Sequence, residues 1–111
     1  MLVARFLAAG PQIGSFTAGP NPVAAGSSLT LTASNITDGN ANSSVAQVAF
    51  YVQINGTNTL LGYGTQTSTG VWTLASTNTF GLSASTYTLF AQAEDSYGVF
   101  GDPVAITLTV S

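Results

Sequence analysis

Three of the residue types that carry most protein chemistry are missing from this 111-residue chain, which has no cysteine, no histidine and no lysine. Without cysteine there is no disulfide framework, no thiolate nucleophile and no thiolate metal site, and redox chemistry says nothing of the compartment. Without histidine the usual general base, the usual zinc ligand and the physiological-pH switch are gone together. Without lysine there is no partner for an intramolecular isopeptide crosslink to Asn or Asp. Arg5 is the one basic residue, set against Asp38, Glu94, Asp95 and Asp102. A single cation cannot build the electrostatic footprint that phosphate backbones demand, which argues against nucleic acid and anionic membrane surfaces as partners. Nor is there an apolar run near the roughly 18 residues a membrane span needs. The opening MLVARFLAAG is too short for a signal-peptide core and reads as a linker or boundary segment over 1–10, ahead of one domain over 11–111.

What the chain does have is period-two alternation. Tyr87, Leu89, Ala91 and Ala93 alternate with Thr88, Phe90, Gln92 and Glu94, and after a glycine-containing break Val104, Ile106, Leu108 and Val110 alternate with Ala105, Thr107 and Thr109. Such a hairpin, apolar on one side, needs a second sheet to cover that side. Upstream, expected strands cover Gln12–Ala18, Ser28–Ser34, Val45–Ile54, Leu60–Thr65 and Val71–Ser76. Asn55-Gly56 is the strongest short hairpin signal in the chain. Phe80 and Leu82 are expected to tuck beneath a crossover loop. The whole reads as an all-β, antiparallel two-sheet sandwich of about seven strands. Its shared core should take Leu29, Leu31, Phe50, Val52, Trp72, Leu74, Leu89, Ala91, Ile106 and Leu108.

From Pro11 to the end the motifs resemble the bacterial Ig-like domain family. They are Val48-Ala49-Phe50-Tyr51-Val52-Gln53-Ile54-Asn55-Gly56, Leu61-Gly62, Val71-Trp72-Thr73-Leu74, and Leu82-Ser83-Ala84-Ser85-Thr86-Tyr87-Thr88-Leu89-Phe90-Ala91-Gln92-Ala93-Glu94-Asp95-Ser96-Tyr97-Gly98. Ile13-Gly14-Ser15-Phe16 and Ala25-Gly26-Ser27-Ser28-Leu29 fit that family's first two strands. Ser85 stands where a glycine is usual, and Gln53-Ile54 lengthens the turn after the third strand. The resemblance implies an Ig-like β-sandwich of cadherin-like topology, one tandem repeat of a larger secreted or cell-surface protein, serving cell adhesion or spacing. Its partners would be neighbouring domains of the same chain, or another protein or a polysaccharide. Some relatives bind calcium between repeats.

Few residues here could carry a site. Glu94, Asp95 and Asp102 bracket the last loop and are weak calcium candidates, because calcium takes roughly six to eight oxygens and three carboxylates are few. They read better as solvated or backbone-capping acids, and no cofactor is expected. Tyr87 is placed for a tyrosine corner, its hydroxyl bonding back to backbone near Leu82–Ala84, with an exposed ligand-stacking tyrosine as the alternative. Trp72 and Phe50 read as core. Tyr51, Tyr63, Tyr97, Phe90 and Phe100 include several outward-facing rings, so a carbohydrate-binding face is the second functional reading. Asn35, Asn42 and Asn55 start glycosylation-type triplets that chance explains in so Asn-, Ser- and Thr-rich a chain. An enzyme is the least favoured reading, since hydroxyl nucleophiles find no His or Lys to activate them.

Overall fold

The computed structural model describes residues 10–39 and 43–111. Residues 1–9 of the expected linker 1–10, with Arg5, and residues 40–42 of the polar loop lie outside the described residues. Alternating side chains, rich in Val, Thr and aromatics and broken by Gly, Pro and Asn, give strands wherever one face can be buried. They are β1 (Ser15–Gly19), β2 (Leu29–Ser34), β3 (Val45–Ile54), β4 (Thr57–Tyr63), β5 (Thr65–Ser68), β6 (Val71–Ser76), β7 (Ser85–Asp95) and β8 (Val104–Val110). Two four-stranded antiparallel sheets result, ordered β1-β2-β6-β5 and β4-β3-β7-β8. The Asn55-Gly56 turn takes positive φ at both residues, 52° and 79°, and sets Ile54 opposite Thr57.

The eighth strand is a departure from the sequence reading. The sequence reads Leu60–Thr65 as one strand pairing back against Val45–Ile54. Instead the chain leaves β4 at Gly64 and begins β5 in the other sheet. Gly64 is required there, since a Cβ would sit 2.9 Å from Phe50 Cε2 and 3.2 Å from the Thr73 carbonyl. All four residues of β5 are exposed, so the segment TQTS carries no apolar phase to announce it. At the other end, Gln12 makes an isolated bridge to Thr37 and regular pairing begins only at Ser15.

The core lies between the inner faces. Phe16, Leu29, Leu31 and Ala33 from one sheet meet Val48, Phe50, Val52, Leu89, Ala91 and Leu108 from the other. The Phe16 and Phe50 rings lie 5.6 Å apart at 50°, a tilted pair that adds to the gain from burial. Fully burying each large side chain contributes about 1.5–3 kcal/mol. Leu74 and Ile106 are only half-buried, packing against this core from its margins. Leu74 covers the place where β4 overhangs, and a Cβ on Gly62 would lie 3.2 Å from Leu74 Cδ2. Ile54 has the inward phase but sits at the hairpin tip, 40% exposed.

Two further crossings shape the ends. After β1 the chain passes Gly19-Pro20-Asn21-Pro22 and Val23 forms a parallel bridge with Val110, so this strand divides itself between the sheets. Thr79, Phe80 and Gly81 form a turn with φ of 55°, 52° and 73°. Left-handed backbone costs about 1–2 kcal/mol at each non-glycine residue. Here the cost is offset by the fully buried Thr79 hydroxyl, which lies 2.7 Å from the Ser27 carbonyl and 3.1 Å from that of Ala24. Packing of Phe80 and Leu82 against the core adds to it, as the crossover-loop reading expects.

Candidate interaction face and the capped loop

Asp95 continues the inward phase of Leu89, Ala91 and Ala93, and is only 2% exposed. Its Oδ1 accepts from the backbone N–H groups of Tyr97 (2.9 Å) and Val99 (3.0 Å). Its own N–H donates to the Val99 carbonyl (3.0 Å) and its carbonyl accepts from Gly98 N–H (3.0 Å). Gly98 takes φ 81°, closing the loop Asp95–Val99. Buried carboxylates persist when hydrogen-bonded, and this one organises the loop from within. Its burial follows the phase of β7, and of the solvated and backbone-capping readings of this acid the structure shows the second.

Glu94 points to the opposite face, as neighbours on a strand must. It accepts 2.7 Å from Gln47 Nε2 across the β3–β7 pair. Asp102 is exposed. The three acids are therefore directed to different places, and among the described residues no three His, Cys, Asp or Glu side chains come together as a metal site.

The Tyr87 hydroxyl donates to the Ser83 carbonyl at 2.8 Å, four residues upstream, and lies 3.3 Å from the Ser83 hydroxyl. Tyr87 is half-buried and packs against the core, a tyrosine corner in geometry. Phe50 is fully buried and Trp72 is 9% exposed. The Trp72 Nε1 finds no hydrogen-bond partner among the described residues.

The outer face of β4-β3-β7-β8 gathers the remaining aromatics. Register places Leu60, Tyr51, Phe90 and Ala105 in one row across the four strands. Tyr63 lies opposite Ala49 on the same face, one step along. Phe100 lies opposite Glu94, roughly 13 Å further along β7 from Phe90 at strand rise. Tyr63 and Phe100 are 52% and 55% exposed, whereas Tyr51 and Phe90 are half-buried by their neighbours. The row beyond, Asn58, Gln53, Thr88 and Thr107, is uncharged. Tyr97 sits apart, in the capped loop. The described surface forms no pocket. Such a face can stack and donate hydrogen bonds from amides, but it offers no paired acid and base across a cleft.

Two antiparallel sheets in the order found here define a fibronectin-III-like sandwich of the Ig-like architecture. Among solved structures, the fibronectin(III)-like modules of CbhA from Clostridium thermocellum share it with a TM-score of 0.68 at 16% identity, over 94% of this chain. The chain spans about half of that one, 48% of its length. Neither a family model nor a curated protein matches the chain in sequence. No helix among the described residues is long and apolar enough to cross a membrane.

Proposed function

We propose that this chain is a non-catalytic structural module of a longer extracellular or cell-surface protein, an Ig-like repeat that spaces or presents its neighbours. The observation that carries the reading is the fate of the acids. In a chain without His, Lys or Cys, Asp95, the acid residue buried as a whole among the described residues, is engaged with loop amides, and Glu94 is engaged with Gln47. A pair of carboxylates can hydrolyse glycosides, but such enzymes hold the two across a substrate cleft. The likeness to fibronectin(III)-like modules supports a part within a multidomain protein, and the motif resemblance supports the bacterial Ig-like family. Replacing the module in its parent protein by an unrelated sandwich of similar length should preserve the parent's activity. A loss that only the original module restores, or hydrolysis products from a polysaccharide screen of the isolated chain, would sink the reading.

A second reading is favoured by the Tyr51–Phe90 cross-strand pair with Tyr63 beside it on an uncharged face. In it, the outer face of β4-β3-β7-β8 stacks against a saccharide chain. Retention on insoluble polysaccharide, lost in a Tyr51→Ala/Phe90→Ala variant that still folds, would establish it. Absence of retention on a broad panel would remove it.

A further inference from the structure

An exposed strand edge is a row of unpaired backbone donors and acceptors that templates pairing with another strand unless something blocks it. Three of the four edges in this sandwich are covered, short or interrupted. On β8, the Asn21 side chain donates to the Thr107 carbonyl (2.9 Å) and accepts from the Thr109 N–H (3.1 Å). Val23 and Ala25 then bond the backbone of Thr109 and Ser111 at 2.8–3.0 Å. β1 spans five residues and runs into Pro20 and Pro22, which cannot donate. β5 spans four residues and is broken by an irregularity between Gln66 and Ser68.

The edge of β4 is longer than those of β1 and β5, and no loop or side chain among the described residues covers it. Its seven residues, TNTLLGY, contain no proline and no charge. The bulge against β3 lies beyond Leu60, leaving Thr57–Leu60 in regular register. With Ile54 and Thr57 closing the two-residue turn as a hydrogen-bonded pair, alternation makes Val52 and Thr59 the next bonded pair. Asn58 and Leu60 therefore turn their N–H and C=O groups away from β3, and among the described residues no backbone bond outside the sheet engages them. Large apolar side chains stand exposed along the same hairpin, with Ile54 at 40%, Leu60 at 43% and Tyr63 at 52%.

We infer that the β4 edge pairs with the β4 edge of a second copy of this chain. The two strands meet antiparallel about a two-fold axis with Thr59 opposite its own counterpart. Asn58 of each copy then faces Leu60 of the other, and each such pair exchanges both of its N–H···O bonds. The arrangement is isologous and self-closing. It joins the two β4-β3-β7-β8 sheets into one and covers Leu60. The distribution of charge admits a like copy as the occupant, and the self-complementary register closes it. Glu94 and Asp95 lie where β7 meets the start of β3, with Asp102 after them, while the Asn55-Gly56 hairpin lies at the opposite end, where Gln53 meets Thr88. These three acids are thus kept from the seam, and two copies meet there without these like charges opposed. A basic peptide would find no acid on this edge.

Sedimentation velocity on the full chain from about 10 μM to about 1 mM, the range in which small interfaces populate, tests this. A monomer–dimer equilibrium is expected. Thr59→Lys sets like charges face to face at the two-fold, and Asn58→Pro removes an outward N–H while sparing the bonds to β3. Each should weaken association at least about tenfold. Asp102→Asn, at the far end, should leave it unchanged. Should Asn58→Pro lower the melting temperature, Thr59→Lys alone decides. Amide exchange at Asn58 and Leu60 should slow as concentration rises. A chain that stays monomeric throughout, association that Thr59→Lys leaves intact, or concentration-independent exchange at both amides would overturn the inference. None of these outcomes bears on whether the module is catalytic.

Discussion

Replacing Asp95 by alanine removes the one side chain that holds the β7–β8 loop from inside. Two backbone amides, at Tyr97 and Val99, lose a charged acceptor at 2.9 and 3.0 Å. Hydrogen bonds to charged groups contribute about 1.5–3 kcal/mol each, and an amide left buried without a partner incurs its full desolvation cost. Tyr97 is 48% exposed, so water recovers part of its share, whereas Val99 is half-buried and its amide is less easily hydrated. The net expectation is a loss of about 2–4 kcal/mol, a large fraction of the roughly 5–15 kcal/mol that holds a domain folded. Asp95→Asn keeps an oxygen at the same place without the charge and should cost about 1–2 kcal/mol. Urea unfolding can be followed by the fluorescence of Trp72, the chain's single tryptophan and a buried one. With a slope of about 1–3 kcal/mol per molar urea, the alanine variant's midpoint should fall by about 1–2 M at unchanged slope. The same titration with millimolar calcium should move the wild-type midpoint very little, because Glu94 lies on the opposite face from Asp95 and no three acids come together among the described residues. A loss below about 0.5 kcal/mol in Asp95→Ala would refute the capping argument. A calcium-dependent rise in the wild type that Asp95→Ala lacks would show the carboxylate to be a metal ligand.

Phe50→Ala should cost about 3–5 kcal/mol in the same assay, since the ring is fully buried and paired with Phe16; a loss under about 1 kcal/mol would mean that the inward phase of β3 is misassigned. Tyr87→Phe deletes only the hydroxyl that donates to the Ser83 carbonyl and should cost about 0.5–1.5 kcal/mol, read as a shift in urea midpoint; no shift would reduce the tyrosine corner to a packing contact. Gly64→Ala should destabilise by about 1–3 kcal/mol, because the new methyl meets the Phe50 ring and the Thr73 carbonyl where the chain changes sheets; a neutral result would show that the crossing has slack.

Strands with an apolar side were legible because burial on one face forces period two. β7 and β8 show this, as does β3 with its Asn55-Gly56 turn, and Phe50 and Trp72 follow from the same phase. Asp95 was legible as a solvated or backbone-capping acid, and only the returning Tyr97 and Val99 amides decide for the inward, capping one. β5 was illegible, because a short polar edge strand earns its place from pairing to β6 and from nothing in its own composition. The left-handed turn at Thr79 was equally hidden, as a β-branched residue disfavours that backbone until the Ala24 and Ser27 carbonyls stand ready for its hydroxyl.

Local chemistry therefore determined the class of the protein. Missing His, Lys and Cys removed the side chains that most often carry proton transfer and nucleophilic attack, and alternation with a clean apolar side demanded two sheets in contact. Which outer-face side chains stand in one row, which acids share a neighbourhood and which strand edge stays open were decided by the tertiary structure alone. Those properties depend on register between strands far apart in sequence. A one-residue slip in that register would send Tyr51 and Phe90 inward without changing any local preference.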